Sequence, residues 1–219
     1  MPTTTRAGGV ALVAGSVMIG GFRFLHGDLP ADDADAALHF IAHHGFYAGI
    51  HLGTVCGVLL WTAGIVMLTG AFTHPTATAF GRLAQAAALV GAAVFITDFT
   101  IDGVTGQDLA HAYAAPGAHP QLLVAAETAF ALLRGTSLVS IAILWAIPLM
   151  LLAPALRRDG FPGWLAWTGL AAGAVSFVAA AALLYRQDLF PGVILYGLLA
   201  SIVMPIWSIA LGVVTYRRP

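Results

Sequence analysis

Apolar residues fall into six long runs along the chain, separated by short polar segments. The runs cover residues 7–25, 40–71, 79–101, 121–153, 161–185 and 192–216. A helix needs roughly 20 apolar residues to cross a bilayer, and each run is close to or above that length. Isolated runs of this kind can satisfy their backbone groups in lipid only as helices. The pattern predicts an all-α, polytopic transmembrane helical bundle of six spans, with residues 1–219 forming a single integral membrane domain.

The composition agrees with a bilayer environment. Hydrophobic residues make up 59% of the 219 residues and charged residues only 9%, whereas soluble domains carry about 25% charged residues. The net charge of −1 leaves no basic surface for nucleic acid. The lone cysteine, Cys56, cannot form an internal disulfide and is interpreted as a small buried apolar residue. The expected partner is therefore the lipid bilayer.

Arginine placement predicts the orientation of the spans. Six arginines occupy the segments that would lie on the same side as the N-terminus, namely Arg6, Arg82, Arg157, Arg158, Arg217 and Arg218. The opposite segments hold two, Arg23 and Arg186. Because basic residues near span ends stay in the cytoplasm, both termini are predicted to be cytoplasmic. Most of the acidic loop residues then lie outside.

The second apolar run carries a stripe of glycines one helical turn apart, formed by Gly45, Gly49, Gly53 and Gly57. Small residues in such a stripe let membrane helices approach closely. The stripe could seat another span of the same chain. It could also seat a second subunit, which would make the protein a homo-oligomer.

Seven candidate polar side chains lie within or at the end of the second, third and fourth runs, and a charge inside a span costs about 2.5–3.5 kcal/mol on insertion scales. They are His44, Tyr47 and His51 in the second run, Asp98 and Asp102 in the third, and Glu127 and Arg134 in the fourth. Within each run the spacing aligns them on one helix face, and the orientation places them in the central and outer parts of the spans. We therefore predict a polar pocket that opens to the extracytoplasmic side and is lined by spans two to four.

These residue types favour an acid–base enzyme, or a binder, for a lipophilic small molecule such as an isoprenoid or another lipid. Carboxyl groups in an apolar setting can donate protons near neutral pH. We accordingly assign candidate catalytic roles to Asp98, Glu127, His44 and His51. Candidate ligand-binding residues are Arg134, Tyr47 and Asp102, and Asp98 is the natural ionic partner for Arg134. A cyclase or isomerase would fit this set.

Other interpretations use the same residues differently. Chains of Asp, Glu and His also mark proton pathways, so a proton-coupled small-molecule transporter is the main alternative, and a structural polar network is another. Histidine with carboxylate suits Zn²⁺, but the sequence has no H-E-x-x-H or comparable spacing. The predicted intramembrane histidines all lie on the second span, and His26 is placed in a solvated loop. No metal or cofactor is therefore assigned.

Two short stretches carry a family resemblance. Residues 81–87 (GRLAQAA) open the third run, and residues 156–165 (LRRDGFPGWL) connect the fourth and fifth. With the six-span layout and the acidic outer loop, they resemble a widespread family of uncharacterised bacterial six-span integral membrane proteins. The resemblance implies a multi-pass protein of the bacterial cell (inner) membrane, and it implies no particular catalytic residues.

Overall fold

The computed structural model describes residues 3–30, 32–117, 119–186, 189 and 198–218. Helix accounts for 87% of these residues, and no strand occurs among them. The helices are α1 (Thr3–His26), α2 (Ala34–Ala42), α3 (Tyr47–Gly70), α4 (Pro75–Ala114), α5 (Gln121–Arg158), α6 (Gly163–Tyr185) and α7 (Met204–Arg217). The all-α prediction is therefore confirmed for the described part of the chain.

Five helices in that part are long and apolar enough to cross a membrane: α1, α3, α4, α5 and α6. They correspond to the first five predicted runs. The sixth run, 192–216, overlaps the shorter helix α7 and a preceding π-helical turn at Leu199–Val203. The part of that run before residue 198 lies outside the described residues.

The second predicted run, 40–71, is not a continuous helix. Helix α2 ends at Ala42 and α3 begins at Tyr47, with a turn between them that contains His44 and Gly45. Glycine disfavours helix, and the His43 ring nitrogen Nδ1 lies 2.7 Å from the His39 carbonyl oxygen at the end of α2. The predicted alignment of His44 with His51 on one helix is therefore wrong, because His44 precedes α3.

Three wider π-helical turns occur in the part of the chain that the structure describes. In α5 the turn is Ala142–Ala146, and the turn before α7 is Leu199–Val203. Each is followed closely by a proline, Pro148 or Pro205. A proline lacks the N–H for the normal helical bond and clashes with the carbonyl four residues earlier, so a wider turn accommodates it. The third π turn, Ile101–Thr105 in α4, has no such proline.

Helices α1 and α3 are in backbone contact. A Cβ atom at Gly15 would lie 2.5 Å from the Trp61 nitrogen and 2.6 Å from the Gly57 oxygen. At Gly53 a Cβ atom would overlap the Phe22 ring. The same chain thus covers part of the predicted glycine stripe, and no second subunit is needed at those positions. This contact fixes the end of α1 beside the first turn of α3.

One end of the bundle is held together around Asp159, and we call it the Asp159 end. The Asp159 Oδ1 atom accepts a hydrogen bond from the Thr73 N–H at 2.9 Å. The Asp159 backbone oxygen accepts a second hydrogen bond from the Arg218 side chain at 2.7 Å. The Arg218 guanidinium also stacks 3.9 Å from the Phe161 ring centre. The α3–α4 connection, the α5–α6 connection and the C-terminal residues therefore meet at this end.

Large apolar side chains remain exposed along the helices. Leu52, Leu59 and Leu83, for example, are each more than half exposed. Cys56 is also exposed, so its predicted burial in a protein core is wrong. The helix rotation turns Cys56 outward, where an apolar side chain is compatible with lipid. Outward-facing apolar side chains on long apolar helices are what a multi-pass membrane protein requires.

We expect Gly15→Ala to destabilise the protein, because the added methyl group has no space against the α3 backbone. Overpacking of this kind costs about 1–3 kcal/mol. Thermal unfolding of the purified protein in detergent measures the effect. Gly21→Ala on the same helix is the matched control, since a Cβ there meets nothing within 4 Å. Equal melting temperatures for the two variants would contradict the predicted contact.

Candidate functional site

A cavity of about 370 Å³ lies between α1, α4 and α5, towards the end of the bundle opposite Asp159. We call this the His26 end. The apolar part of its wall is formed by Ile19, Phe95, Phe99, Ile141 and Trp145. The ionisable residues on its wall are Arg23, His26, Asp28, Asp98 and Asp102. The cavity therefore combines an apolar interior with a few charged groups, as small-molecule sites do.

Asp98 is almost completely buried, at 2% exposure, and is held by hydroxyl groups of α5. Thr136 donates a short hydrogen bond to Oδ1, and Ser137 donates one of 2.7 Å to Oδ2. A buried carboxyl group without partners would be strongly destabilising. These two donors fix the Asp98 carboxyl group at the cavity wall in a defined orientation.

Asp102 lies one helical turn beyond Asp98 and is bound by the first turn of α3. The Tyr47 hydroxyl donates to Asp102 Oδ1 at 2.8 Å. The His51 Nε2 atom lies 3.0 Å from Asp102 Oδ2, and His51 Nδ1 lies 2.9 Å from the Tyr47 carbonyl oxygen. The predicted i,i+4 alignment of Asp98 and Asp102 is confirmed, since both line the cavity.

His26 completes this cluster from the end of α1. Its Nε2 atom lies 3.6 Å from Asp102 Oδ2 and 3.4 Å from the Tyr47 hydroxyl. Its Nδ1 atom lies 3.0 Å from the Gly27 carbonyl oxygen. The interpretation of His26 as a solvated loop residue is wrong. Its position at the end of an apolar run was a signal that it could face the bundle, but its partners come from helices distant in sequence.

The π turn in α4 brings Asp102 close to α3. Gly103, within that turn, is buried, and a Cβ atom there would lie 2.5 Å from the His51 Cγ atom. Only glycine lets α4 approach the His51 side chain so closely. Turns of this type often occur at functional sites. No proline follows this turn, and it places Asp102 within reach of Tyr47 and His51.

Five of the seven predicted site residues are not on the cavity wall. Tyr47 and His51 contact Asp102, and the other three lie elsewhere. His44 lies in the turn before α3, with its ring 5.5 Å from that of Phe40. Glu127 is exposed on α5. Arg134 forms an ion pair of 3.1 Å with Asp32. The predicted partner of Arg134 was Asp98, which the hydroxyl groups of Thr136 and Ser137 hold instead. The predicted lining by three spans is also too narrow, because α1 contributes Ile19, Arg23 and His26.

The arrangement can hold a cation or move protons. One atom each of His26, His51 and Asp102 lies within 4.8 Å of the other two, and these are common ligand types for transition metals. The same groups, with Asp98 further along the wall, could also exchange protons with a bound molecule. The geometry therefore permits metal binding and acid–base chemistry at one site.

Comparison with known proteins adds no assignment. No protein-family model matches the chain, and neither the curated proteins nor the solved structures include a match.

We expect Tyr47→Phe to lower the stability of the protein by about 1–3 kcal/mol, because it leaves a largely buried carboxylate oxygen of Asp102 without its donor. Thermal unfolding in detergent tests this. Tyr113→Phe is the matched control: its hydroxyl also donates to a carboxylate, that of Asp35, but in an exposed setting, and we expect a smaller change. A larger loss in Tyr113→Phe than in Tyr47→Phe would contradict this prediction.

Proposed function

We propose that the chain is a six-span protein of the bacterial inner membrane with both termini in the cytoplasm, and that its cavity binds a lipophilic small molecule for acid–base chemistry. An isomerase or cyclase acting on an isoprenoid-like lipid is the reaction class that fits best. The resemblance to bacterial six-span membrane proteins supports the setting. The Asp159 end contains arginines and lies opposite the His26 end. Because basic residues near span ends stay in the cytoplasm, this arrangement supports a cytoplasmic Asp159 end.

Two carboxyl groups lie on one largely apolar wall, and this pair is the main support for the proposed chemistry. Asp98 and Asp102 both face the cavity, yet their partners differ. Asp98 is held by two hydroxyl groups, whereas Asp102 is bound by Tyr47 and lies beside two histidines. Carboxyl groups in different environments can take opposite roles as acid and base.

These groups alone can supply and remove the protons that the isomerisation requires. Asp98 adds a proton to one carbon of a double bond in the bound lipid, which leaves a positive charge on the other carbon. The Asp102–histidine cluster then accepts a proton from the next carbon beyond that charge, and its C–H electron pair forms the new double bond. The double bond is thereby moved, no oxidant or reductant is consumed, and solvent exchange restores the starting protonation. Tyr47 positions Asp102, and Arg23 at the cavity wall is placed to attract an anionic headgroup. His44, Glu127 and Arg134 have no role in this scheme.

Proton-coupled transport is the second candidate, because ionisable groups follow one wall from His26 through Asp102 to Asp98. Such a series is typical of proton pathways. Transport would leave the bound molecule chemically unchanged and would move protons across proteoliposomes. An enzyme would change the molecule without a proton flux.

The proposed chemistry predicts deuterium incorporation. Purified protein in bilayers of native lipid extract, incubated in D₂O, is expected to yield a lipid carrying carbon-bound deuterium, detected by mass spectrometry. Asp98→Asn should abolish incorporation, because the amide cannot donate the proton. Asp108→Asn makes the same change at an exposed position of the same helix and should leave incorporation intact. Equal activity of Asp98→Asn and wild type would refute the role of Asp98.

The proposed topology predicts labelling from opposite sides. In a Cys56→Ala background, Ala115→Cys lies exposed at the His26 end and His74→Cys lies exposed at the Asp159 end. A membrane-impermeant maleimide applied to intact spheroplasts should label the first and spare the second, and inverted vesicles should reverse the result. Labelling of both from the same side would contradict the orientation.

A further inference from the structure

We propose that His26, His51 and Asp102 form a binding site for a divalent transition-metal ion, with Zn²⁺ the first candidate. The ligand atoms are Nε2 of each histidine and Oδ2 of the aspartate. This inference goes beyond the proposed function, because metal binding does not depend on what occupies the cavity.

The distances between the ligand atoms suit such an ion. The Asp102 Oδ2 atom lies 3.0 Å from His51 Nε2 and 3.6 Å from His26 Nε2. With Zn–N and Zn–O bonds near 2.0–2.1 Å in a tetrahedron, neighbouring ligand atoms are expected roughly 3.3 Å apart. The two observed distances bracket that value. All three ligand atoms lie within 4.8 Å of one another, so closing the site requires only small side-chain movements.

The hydrogen bonds of the histidines leave their Nε2 lone pairs facing the carboxylate. His51 Nδ1 and His26 Nδ1 each lie against a backbone carbonyl oxygen, at 2.9 Å and 3.0 Å. A carbonyl oxygen can only accept, so Nδ1 carries the hydrogen in each neutral ring. The Nε2 atoms then present lone pairs to Asp102 Oδ2, an oxygen that also has no hydrogen. Three electron-rich atoms therefore converge on one space.

A metal ion would stabilise these three facing atoms better than added protons would. A single added proton can bridge only one histidine to Oδ2 and leaves the other lone pair facing the carboxylate. Two added protons place two imidazolium rings 4.9 Å apart, measured between ring centres, against a single carboxylate. One divalent cation contacts all three atoms together. The side chains are only 2% to 16% exposed, which strengthens the attraction.

The surrounding groups are those that support a metal site. Each histidine places its Nδ1 atom against a backbone carbonyl oxygen, the kind of contact that fixes the tautomer and ring orientation of a metal-binding histidine. Tyr47 donates to Asp102 Oδ1, leaving Oδ2 for a single metal bond. Gly103 allows α4 to carry Asp102 up to the His51 ring. The ligands thus come from α1, α3 and α4, each with its own support.

Two histidines and a carboxylate leave a fourth position, as in catalytic zinc sites. Since His26 and Asp102 line the cavity, that position faces the cavity and would take an oxygen atom of water or of the lipophilic ligand. A bound zinc ion would hold His26, His51 and Asp102 as ligands and would supply Lewis-acid activation of that oxygen. The ligand class is then a lipid with a hydroxyl, carbonyl or phosphate group.

Zinc titration of the metal-free, full-length protein in detergent tests the proposal. With free Zn²⁺ buffered in the nanomolar range, we expect one ion per chain and a rise in melting temperature on binding. His26→Ala should weaken binding by more than about 100-fold and abolish the rise, and Tyr47→Phe should weaken it by about 10-fold. His111→Ala removes an exposed histidine of α4 and should bind as the wild type does.

His26→Ala is the decisive variant, because its side chain lies at the end of α1 and its loss should not prevent folding. Cobalt(II) in the wild type gives an independent measurement: we expect the intense visible absorption of a four-coordinate site, lost in His26→Ala. No zinc binding by the wild type, or equal binding by His26→Ala, would overturn the proposal. Zinc binding is measured without substrate, so the two proposals can fail separately. Zinc binding without deuterium transfer refutes the proposed function alone. Deuterium transfer without zinc binding refutes the metal site alone.

Discussion

The backbone contact between α1 and α3 is the constraint on which the His26 end depends. Membrane helices gain little from apolar burial against lipid, so close packing at small residues supplies much of their association. At Gly15 the two helices approach until no Cβ atom fits. This crossing sets how far α1 extends along α3 and thereby places His26, its last residue, against Tyr47 and the neighbouring His51 ring. A wider crossing would remove one histidine from the cluster.

A second close approach, between α3 and α4, completes the site. Gly103 lies against the His51 ring within a π turn that no proline accounts for, and this turn carries Asp102 into contact with the first turn of α3. Asp102 is the centre of the cluster because Tyr47 binds one of its oxygens and both histidines lie near the other. Asp98, one turn earlier, is held from α5. Four helices, α1, α3, α4 and α5, thus present polar side chains to one cavity.

The two ends of the bundle differ in physical character. At the Asp159 end, polar groups satisfy one another across loops, and the Arg218 side chain binds Asp159. At the His26 end, the carboxylates and histidines line or border a cavity with an apolar wall. The polar groups at the Asp159 end join loops, whereas Asp98 and Asp102, although hydrogen-bonded, also face a cavity. This difference is why the proposed chemistry belongs to one end only.

Hydropathy and residue spacing were sufficient to predict the five long apolar helices of the described chain and the shared face of Asp98 and Asp102, because both are local properties. They also singled out Tyr47 and His51, whose polarity is costly in an apolar run. They did not predict the break before Tyr47, since a continuous apolar run hides it. Nor did they predict that His26 joins Asp102 while His44, Glu127 and Arg134 lie elsewhere. Which side chains meet depends on how each helix is rotated and how closely it crosses its neighbours, and only tertiary packing at glycines such as Gly15 and Gly103 decides that.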